Sequence, residues 1–319
     1  ATEYLGDAWF KAIRAAIAEC NLEGMEAWLY DEDCWPSGYA GGKVTENPDY
    51  RMRFLVMEVL PAKGFNYTEE GDYPVYEADV DGDKARNVRW LHVGQRPTAK
   101  HVLVFHEENQ PCTNYYNGYT YLDTLSEDAV AAFIESTHER YRHEIGEDFG
   151  QVVPGIFTDE PNFCAFYGEQ VPQGRKGIPY SYVPWTENLP TIFEEMFSYS
   201  IRNYLPELML EVEGVQVSKA RLDFRNCLTY LFTNNFFKQI YDWCDRHKLK
   251  LTGHVLLEDR LHLQTLVVGA AMRSYEYMQV PGIDLLTEYA YDYDTPKQCQ
   301  SVANQMGRPW VLSEMYGCT

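Results

Sequence analysis

The chain has 319 residues, of which 45% are hydrophobic and 24% are charged. This composition is typical of a folded globular protein and excludes disorder over most of the chain. Asp and Glu number 48 against 27 Lys and Arg, so the net charge is -21. Such a surface repels polyanions, and we therefore expect neither nucleic acid nor an anionic membrane as a partner.

The cysteines and the apolar runs indicate the compartment. The eight cysteines are scattered singly, without a CxxC pair, which favours reduced thiols and a cytoplasmic location. Apolar runs fall short of the ~20 residues that span a bilayer. The first residues also lack the basic and apolar regions of a signal peptide.

The first part of the chain contains one βα-like unit and one exception to that pattern. Apolar residues at Trp9, Ile13 and Ile17 recur at helical spacing, and a short apolar run at 25–30 then opens into a polar loop. Helix, turn and strand in this order are typical of βα repeats. Residues 51–109 instead hold four strand-like runs separated by turns, which predicts an antiparallel β insertion.

The rest of the chain alternates helical and strand-like segments. Helical spacing returns twice, and apolar strand-like runs follow at 152–157, 249–254, 278–285 and 308–314. This alternation predicts parallel α/β architecture, either a (β/α)8 TIM-type barrel or a doubly wound sheet. The sequence lacks GxGxxG and P-loop motifs, which disfavours the nucleotide-binding sheet. The predicted domains are a barrel and an insertion, with bounds 1–50 and 110–319 for the barrel and 51–109 for the β-rich insertion.

Carboxylates follow two of the apolar strands. Asp159, Glu160 and Asn162 end the run FTDEPN, and Glu314 ends the run VLSE. A carboxyl group held beside aromatic residues can have the raised pKa that a general acid requires. Alternatively, Asp159 or Glu160 caps the helix or loop that follows, and Glu314 is a solvated residue at a strand end. Cleavage of a glycosidic bond needs two such carboxyl groups that face each other.

His254 and the acidic loop after the first strand raise further possibilities. His254 could hydrogen-bond a sugar hydroxyl or a catalytic carboxylate, or be a buried histidine bound to the backbone. The sequence has no HxH or HExxH pattern, so we expect no metal and no cofactor. The acidic loop 31–33 could bind a structural calcium ion, although the EF-hand spacing is absent. Aromatic residues in loops after strands favour a carbohydrate ligand, because flat rings stack on sugars.

Four segments together resemble the α-L-rhamnosidase-type glycoside hydrolases of family 106. They are LYDEDCWPSGYAGG (29–42), GIFTDEP (155–161), TGH (252–254) and LSEMYG (312–317). The resemblance implies a (β/α)8 barrel with Glu160 as the general acid and Glu314 as the general base or nucleophile. The runs at 25–30 and 311–314 would then be the third and seventh strands. The chain is accordingly expected to be part of a larger enzyme, with open barrel edges through which it could self-associate.

We therefore predict a glycosidase that cleaves a terminal sugar, with α-L-rhamnosides among the expected substrates. A barrel that binds carbohydrate without cleaving it is the alternative. A metal-dependent hydrolase with His254 as a ligand is a third possibility. The residues expected to bind the substrate are Asp31, Asp33, Trp35, Asp159, Asn162, His254, Glu258 and Tyr316.

Overall fold

The computed structural model describes residues 2–164, 170–286 and 293–315. Contacts between residues divide the chain into two compact units. Unit 1 comprises Ala1–Arg51, Cys112–Cys164 and Thr229–Thr319, and unit 2 comprises Met52–Pro111 and Ala165–Leu228. In the described part of the chain, no helix has the length and apolar character needed to cross a membrane.

Strands and helices alternate in unit 1, whereas strands dominate unit 2. The strands, in chain order, are β1 (Leu29–Tyr30), β2 (Arg53–Pro61), β3 (Val75–Asp81), β4 (Lys84–Leu91), β5 (His101–Asn109), β6 (Gly155–Asp159), β7 (Tyr180–Trp185), β8 (Glu211–Val212), β9 (Lys250–His254), β10 (Val280–Leu285) and β11 (Leu312–Met315). The helices are α1 (Asp7–Glu23), α2 (Glu127–Phe133), α3 (Glu139–Ile145), α4 (Leu189–Phe197), α5 (Leu205–Met209), α6 (Lys219–Phe232), α7 (Gln239–Arg246), α8 (Leu261–Val267), α9 (Ala271–Tyr275) and α10 (Asp294–Gln305).

The described strands of unit 1 form one parallel sheet in the order β1, β6, β9, β10, β11. Each strand pairs with the strand of this sheet that follows it along the chain. The order of a doubly wound sheet reverses at a switch point, and this order does not. Unit 1 is therefore a curled half-barrel of parallel strands, and the complete eight-stranded barrel remains a prediction.

Helices cover the half-barrel as the helical spacing predicts. Helix α1 buries Phe10 and Ile17, and it ends at Gly24, whose φ of 67° is left-handed. Single π-helical turns join α2 to α3 and α6 to α7. Helix α2 packs against the π-helical turn before α7, since the rings of Phe133 and Phe236 stack with centroids 6.1 Å apart. Burial of such apolar faces is the main stabilising term of the unit.

Unit 2 is built on a six-stranded mixed sheet with the order β7, β2, β5, β3, β4, β8. Strands β2 to β5 are the four antiparallel strands predicted within 51–109. Strand β7 pairs antiparallel with the other edge of β2, and β8 runs parallel to β4. The structure thus groups 165–228 with the insertion, which differs from the sequence-based division. The reason is the pairing of β7, which satisfies the backbone groups of β2 that an insertion ending at 109 would leave unpaired.

Gly253 in β9 lets two strands of the half-barrel approach closely. Its φ is 137°, and an added Cβ would lie 1.8 Å from the backbone oxygen of Thr158 in β6. We expect Gly253→Ala to lower the free energy of unfolding by more than ~4 kcal/mol, because the backbone of β6 cannot yield without breaking the sheet. Urea unfolding of the variant measures this loss.

Gly71→Ala is the matched control, since an added Cβ at Gly71 meets no atom within 4 Å. Its free energy of unfolding should stay close to that of the parent protein. Equal stability of the two variants would contradict the close approach of β6 and β9.

Candidate functional site

The carboxyl ends of the parallel strands in unit 1 bring acidic side chains around one histidine. Asp159 ends β6 and is the register partner of His254, which ends β9. Asp284 on β10 is the register partner of Glu314 on β11, and Glu160 directly follows β6. Parallel strands align their carboxyl ends at one edge, so residues far apart in sequence converge there.

His254 lies at the centre of this group and is 1% exposed. Its Nε2 atom is 2.8 Å from Glu314 Oε2 and 3.8 Å from Asp159 Oδ1. Its Nδ1 atom lies 4.0 Å from Glu160 Oε1. The predicted acid and its predicted partner thus approach opposite nitrogens of one imidazole ring.

The carboxylates around His254 stabilise its protonated form. Burial lowers the pKa of His254, but the hydrogen bond to Glu314 and the charges of Glu258, Asp159 and Glu160 outweigh it and raise the pKa to about 9. The imidazole is therefore an imidazolium ion at neutral pH. It donates its Nε2 proton to Glu314.

The pKa values of Glu160 and Glu314 shift in opposite directions, although the charge of His254 lowers both. Burial raises the pKa of Glu160 to about 7, although the charge of His254 and a hydrogen bond from Trp35 act against it. The hydrogen bond from His254 lowers the pKa of Glu314, whose side chain is 41% exposed. Near neutral pH, Glu160 retains a proton for part of the time and Glu314 is ionised.

Tyr30 and Asp284 also belong to the site, and the sequence interpretation missed both. The Tyr30 hydroxyl donates to Asp159 Oδ2 at 2.8 Å, and burial raises the pKa of Asp159. Burial likewise raises the pKa of Asp284, which also senses the charges of His254 and Glu314. Both missed residues lie at the ends of apolar strands, so the signal that identified Glu160 and Glu314 could have found them.

The loop after β1 approaches the general-acid candidate. Trp35 donates its indole Nε1 hydrogen to Glu160 Oε2 at 2.6 Å, and the Tyr115 hydroxyl donates to the backbone oxygen of Trp35 at 2.6 Å. The two rings meet edge to face with centroids 6.5 Å apart. Asp33 in the same loop is exposed. Trp35, Tyr115 and Asp33 thus offer aromatic and polar surface beside Glu160.

Three residues predicted to bind substrate are buried, and each makes a hydrogen bond inside the protein. Asp31 is fully buried and accepts the Ser37 hydroxyl at 2.5 Å. Glu258 is 4% exposed and accepts the Tyr275 hydroxyl at 2.7 Å. Asn162 is 5% exposed and donates to the backbone oxygen of Glu160 at 3.2 Å. These positions fit support of the site better than contact with a sugar.

Tyr316, the remaining residue of that prediction, lies outside the described residues.

Metal ligation can be examined on the described residues. Two groups each place three ligand atoms within 4.8 Å of one another, and they share His254: Asp159 with His254 and Glu314, and Glu160 with His254 and Asp284. Metal binding at either group would release the imidazole proton, which the neighbouring carboxylates stabilise in the metal-free site.

Comparisons with known proteins support the fold. No protein-family model and no curated protein matches this chain. Among solved structures, a rhamnosidase from Novosphingobium sp. PP1Y superposes with a TM-score of 0.56 and 12% sequence identity. The match covers 98% of this chain and 47% of that chain, so this chain spans about half the length of that rhamnosidase. At this identity the likeness shows a rhamnosidase-like fold and no more.

The charge of His254 provides a test of the site. We expect its imidazole to titrate near pH 9 in NMR spectra, and Glu314→Gln to lower that midpoint by about one pH unit or more, because the carboxylate acceptor loses its charge. Glu108→Gln is the control, since Glu108 lies 2.8 Å from a different histidine, His106. A midpoint near the usual value for histidine, ~6.5, would contradict the arrangement.

Proposed function

We propose that this chain carries the catalytic site of a glycoside hydrolase that removes a terminal sugar, with Glu160 as the general acid and Glu314 as its partner. One observation carries the proposal: the two carboxyl groups approach the two nitrogens of the same buried imidazole at the carboxyl edge of the half-barrel. Two carboxyl groups whose environments separate their pKa values are what an acid and a base of this reaction need.

Glu160 has the features of a proton donor. Its side chain is 16% exposed, and burial raises its pKa to about 7, so that it carries a proton at mildly acidic to neutral pH. Transfer of this proton to the glycosidic oxygen neutralises the leaving group as the bond breaks. The indole of Trp35 binds Oε2, which orients the carboxyl group.

Glu314 has the features of a base. Its carboxylate is ionised because His254 donates to Oε2, and the side chain is 41% exposed, so that water can reach it. An ionised carboxylate in this position removes a proton from a water molecule that attacks the anomeric carbon from the face opposite Glu160. We therefore propose inversion, with His254 holding Glu314 in place and keeping it charged.

The substrate class follows from the surface beside Glu160. Trp35 and Tyr115 supply aromatic faces that can stack on a sugar ring, and Asp33 supplies an exposed carboxylate for sugar hydroxyls. We propose α-L-rhamnosides as the first substrates to test, because the structural neighbour is named a rhamnosidase. The supporting likeness is one of fold, so a panel of aryl glycosides that differ in sugar and anomer should accompany them.

Substitution of each carboxylate separates the two roles. We expect Glu160→Gln to lower kcat/KM by ~100-fold or more on glycosides with poor leaving groups and to spare activated aryl glycosides, because only a poor leaving group needs a proton. Glu314→Gln should abolish turnover of both kinds of substrate, because both need the activated water. Steady-state rates on a matched pair of substrates measure the difference.

Glu26→Gln is the control for these variants, because Glu26 is exposed and accepts from Trp28 rather than from the cluster. Near-normal turnover by Glu314→Gln would disprove the assignment of the base. Binding of sugar without cleavage by the parent protein would instead favour the carbohydrate-binding alternative.

The pH dependence of kcat/KM should follow the two opposite pKa shifts. Activity should fall as pH rises through about 7, where Glu160 loses its proton. It should also fall at acidic pH, below the usual glutamate pKa of ~4.3, because Glu314 must remain ionised and its pKa is lowered. On an activated aryl glycoside the alkaline decline should largely disappear, since no proton donor is needed. An alkaline decline of equal size on both substrates would contradict the role of Glu160.

A further inference from the structure

Glu32 is a buried carboxylate that the proposed reaction does not use. It is 1% exposed, and burial raises its pKa well above the usual glutamate value. Glu32 follows β1 and begins the loop that carries Trp35. Because a buried carboxylate is costly, its hydrogen-bond partners indicate what it stabilises.

Among the described residues, three backbone N–H groups of this loop donate hydrogen bonds to Glu32. Oε1 accepts the N–H of Asp33 at 2.7 Å, whereas Oε2 accepts those of Gly38 at 3.0 Å and Ala40 at 2.8 Å. Gly38 and Ala40 both have left-handed φ values, of 104° and 50°. The carboxylate therefore closes the loop on itself and offsets the cost of its unusual backbone.

Trp35 lies in the part of the loop between Asp33 and Gly38, whose N–H groups both bind Glu32. Its indole reaches Glu160 Oε2 at 2.6 Å, and the following Ser37 exchanges hydrogen bonds with the backbone of Asp159. Ser37 ties the middle of the loop to β6, and Glu32 sets the path of the chain before and after it. A change in that path would move the indole away from Glu160.

We propose that Glu32 is a positioning residue for the general acid, because it folds the loop 33–40 so that the Trp35 indole is held against the Glu160 carboxyl group. This inference rests on the proposed function for its effect on catalysis, whereas the contact between Trp35 and Glu160 can be measured without any substrate. Glu32 itself is buried and does not need to touch the sugar.

The first test observes the Trp35 indole N–H by NMR, with its signal assigned from Trp35→Phe. In the parent protein the hydrogen bond to a carboxyl oxygen should move the signal downfield and slow its exchange with water. Glu32→Gln should return it toward the position of an unbonded indole, as Glu160→Gln also perturbs it. The amide of Gln cannot accept all three N–H groups, so the loop must change its path.

Glu26→Gln is the matched control, because it removes a carboxylate that accepts from another indole, Trp28, at 2.9 Å on the surface. It should shift the Trp28 signal and leave the Trp35 signal unchanged. An unchanged Trp35 signal in folded Glu32→Gln would overturn the proposal.

The second test is kinetic. Glu32→Gln should lower kcat by about 10- to 100-fold on a glycoside with a poor leaving group and change kcat little on an activated glycoside, because the acid loses its orientation. KM should rise to the same extent on both substrates, because Asp33 and Trp35 move with the loop. In the double variant with Glu160→Gln, the Glu32 substitution should cause no further loss of kcat on either substrate. Equal losses of kcat on both substrates, or fully additive losses of kcat, would overturn the positioning role.

Two outcomes separate this inference from the proposed function. If the parent protein cleaves no glycoside, the proposed function fails, and the indole signal alone decides the inference. If Glu32→Gln does not fold, hydrogen exchange of the Asp33, Gly38 and Ala40 amides in the parent protein decides it. Protection of these amides supports the proposal, and exchange at the rate of an open loop overturns it.

Discussion

A buried imidazolium ion surrounded by carboxyl groups determines the charges at the carboxyl edge of the half-barrel. Five acidic side chains, those of Asp159, Glu160, Glu258, Asp284 and Glu314, sense the charge of His254. One positive charge cannot balance five negative ones in a poorly solvated space, so burial favours the protonated forms of the less exposed groups. The pKa values of all except Glu314 are accordingly raised, with burial as the largest cause. Only the pKa of Glu314 is lowered, because Glu314 accepts the imidazolium hydrogen directly and is the most open to water of the five.

The pKa shifts of these carboxyl groups depend on strand order and register rather than on any local motif. The register pairs of β6 with β9 and of β10 with β11 put the acidic residues on both sides of His254. The β1 loop then closes over the site, where the Trp35 indole binds Glu160. A shift of one residue in any of these strands would turn its acidic side chain to the opposite face of the sheet. The acid and base character of the site is therefore a property of the half-barrel as a whole.

Much of this arrangement can be read from the sequence. Alternating helices and strands predicted the parallel sheet of unit 1, and carboxylates at strand ends predicted the positions of Glu160 and Glu314. The sequence could not show that 165–228 joins the β insertion, because the pairing of β7 with β2 is long-range and leaves no local pattern. Nor could it distinguish Glu32 from its neighbours in DED, since burial and backbone hydrogen bonding depend on how the loop folds. For the same reason, the sequence could not show that Asp31 and Glu258 are buried, and both were expected to bind the substrate.

The backbone departs from regular strand geometry where the proposed reaction would take place. Glu160 has a left-handed φ of 46°, and its N–H donates to the backbone oxygen of His254 at 3.2 Å. Gly253, directly before His254, has a φ of 137° and lies against Thr158 of the neighbouring strand. A non-glycine residue in a left-handed conformation costs ~1 to 3 kcal/mol and persists only where its surroundings enforce it. Here the close approach of β6 and β9 enforces the left-handed conformation of Glu160. As a result, the Glu160 side chain leaves the strand direction and faces His254. The strain at Glu160 is therefore an observation in favour of its proposed role as the general acid, and it is independent of the pKa shifts.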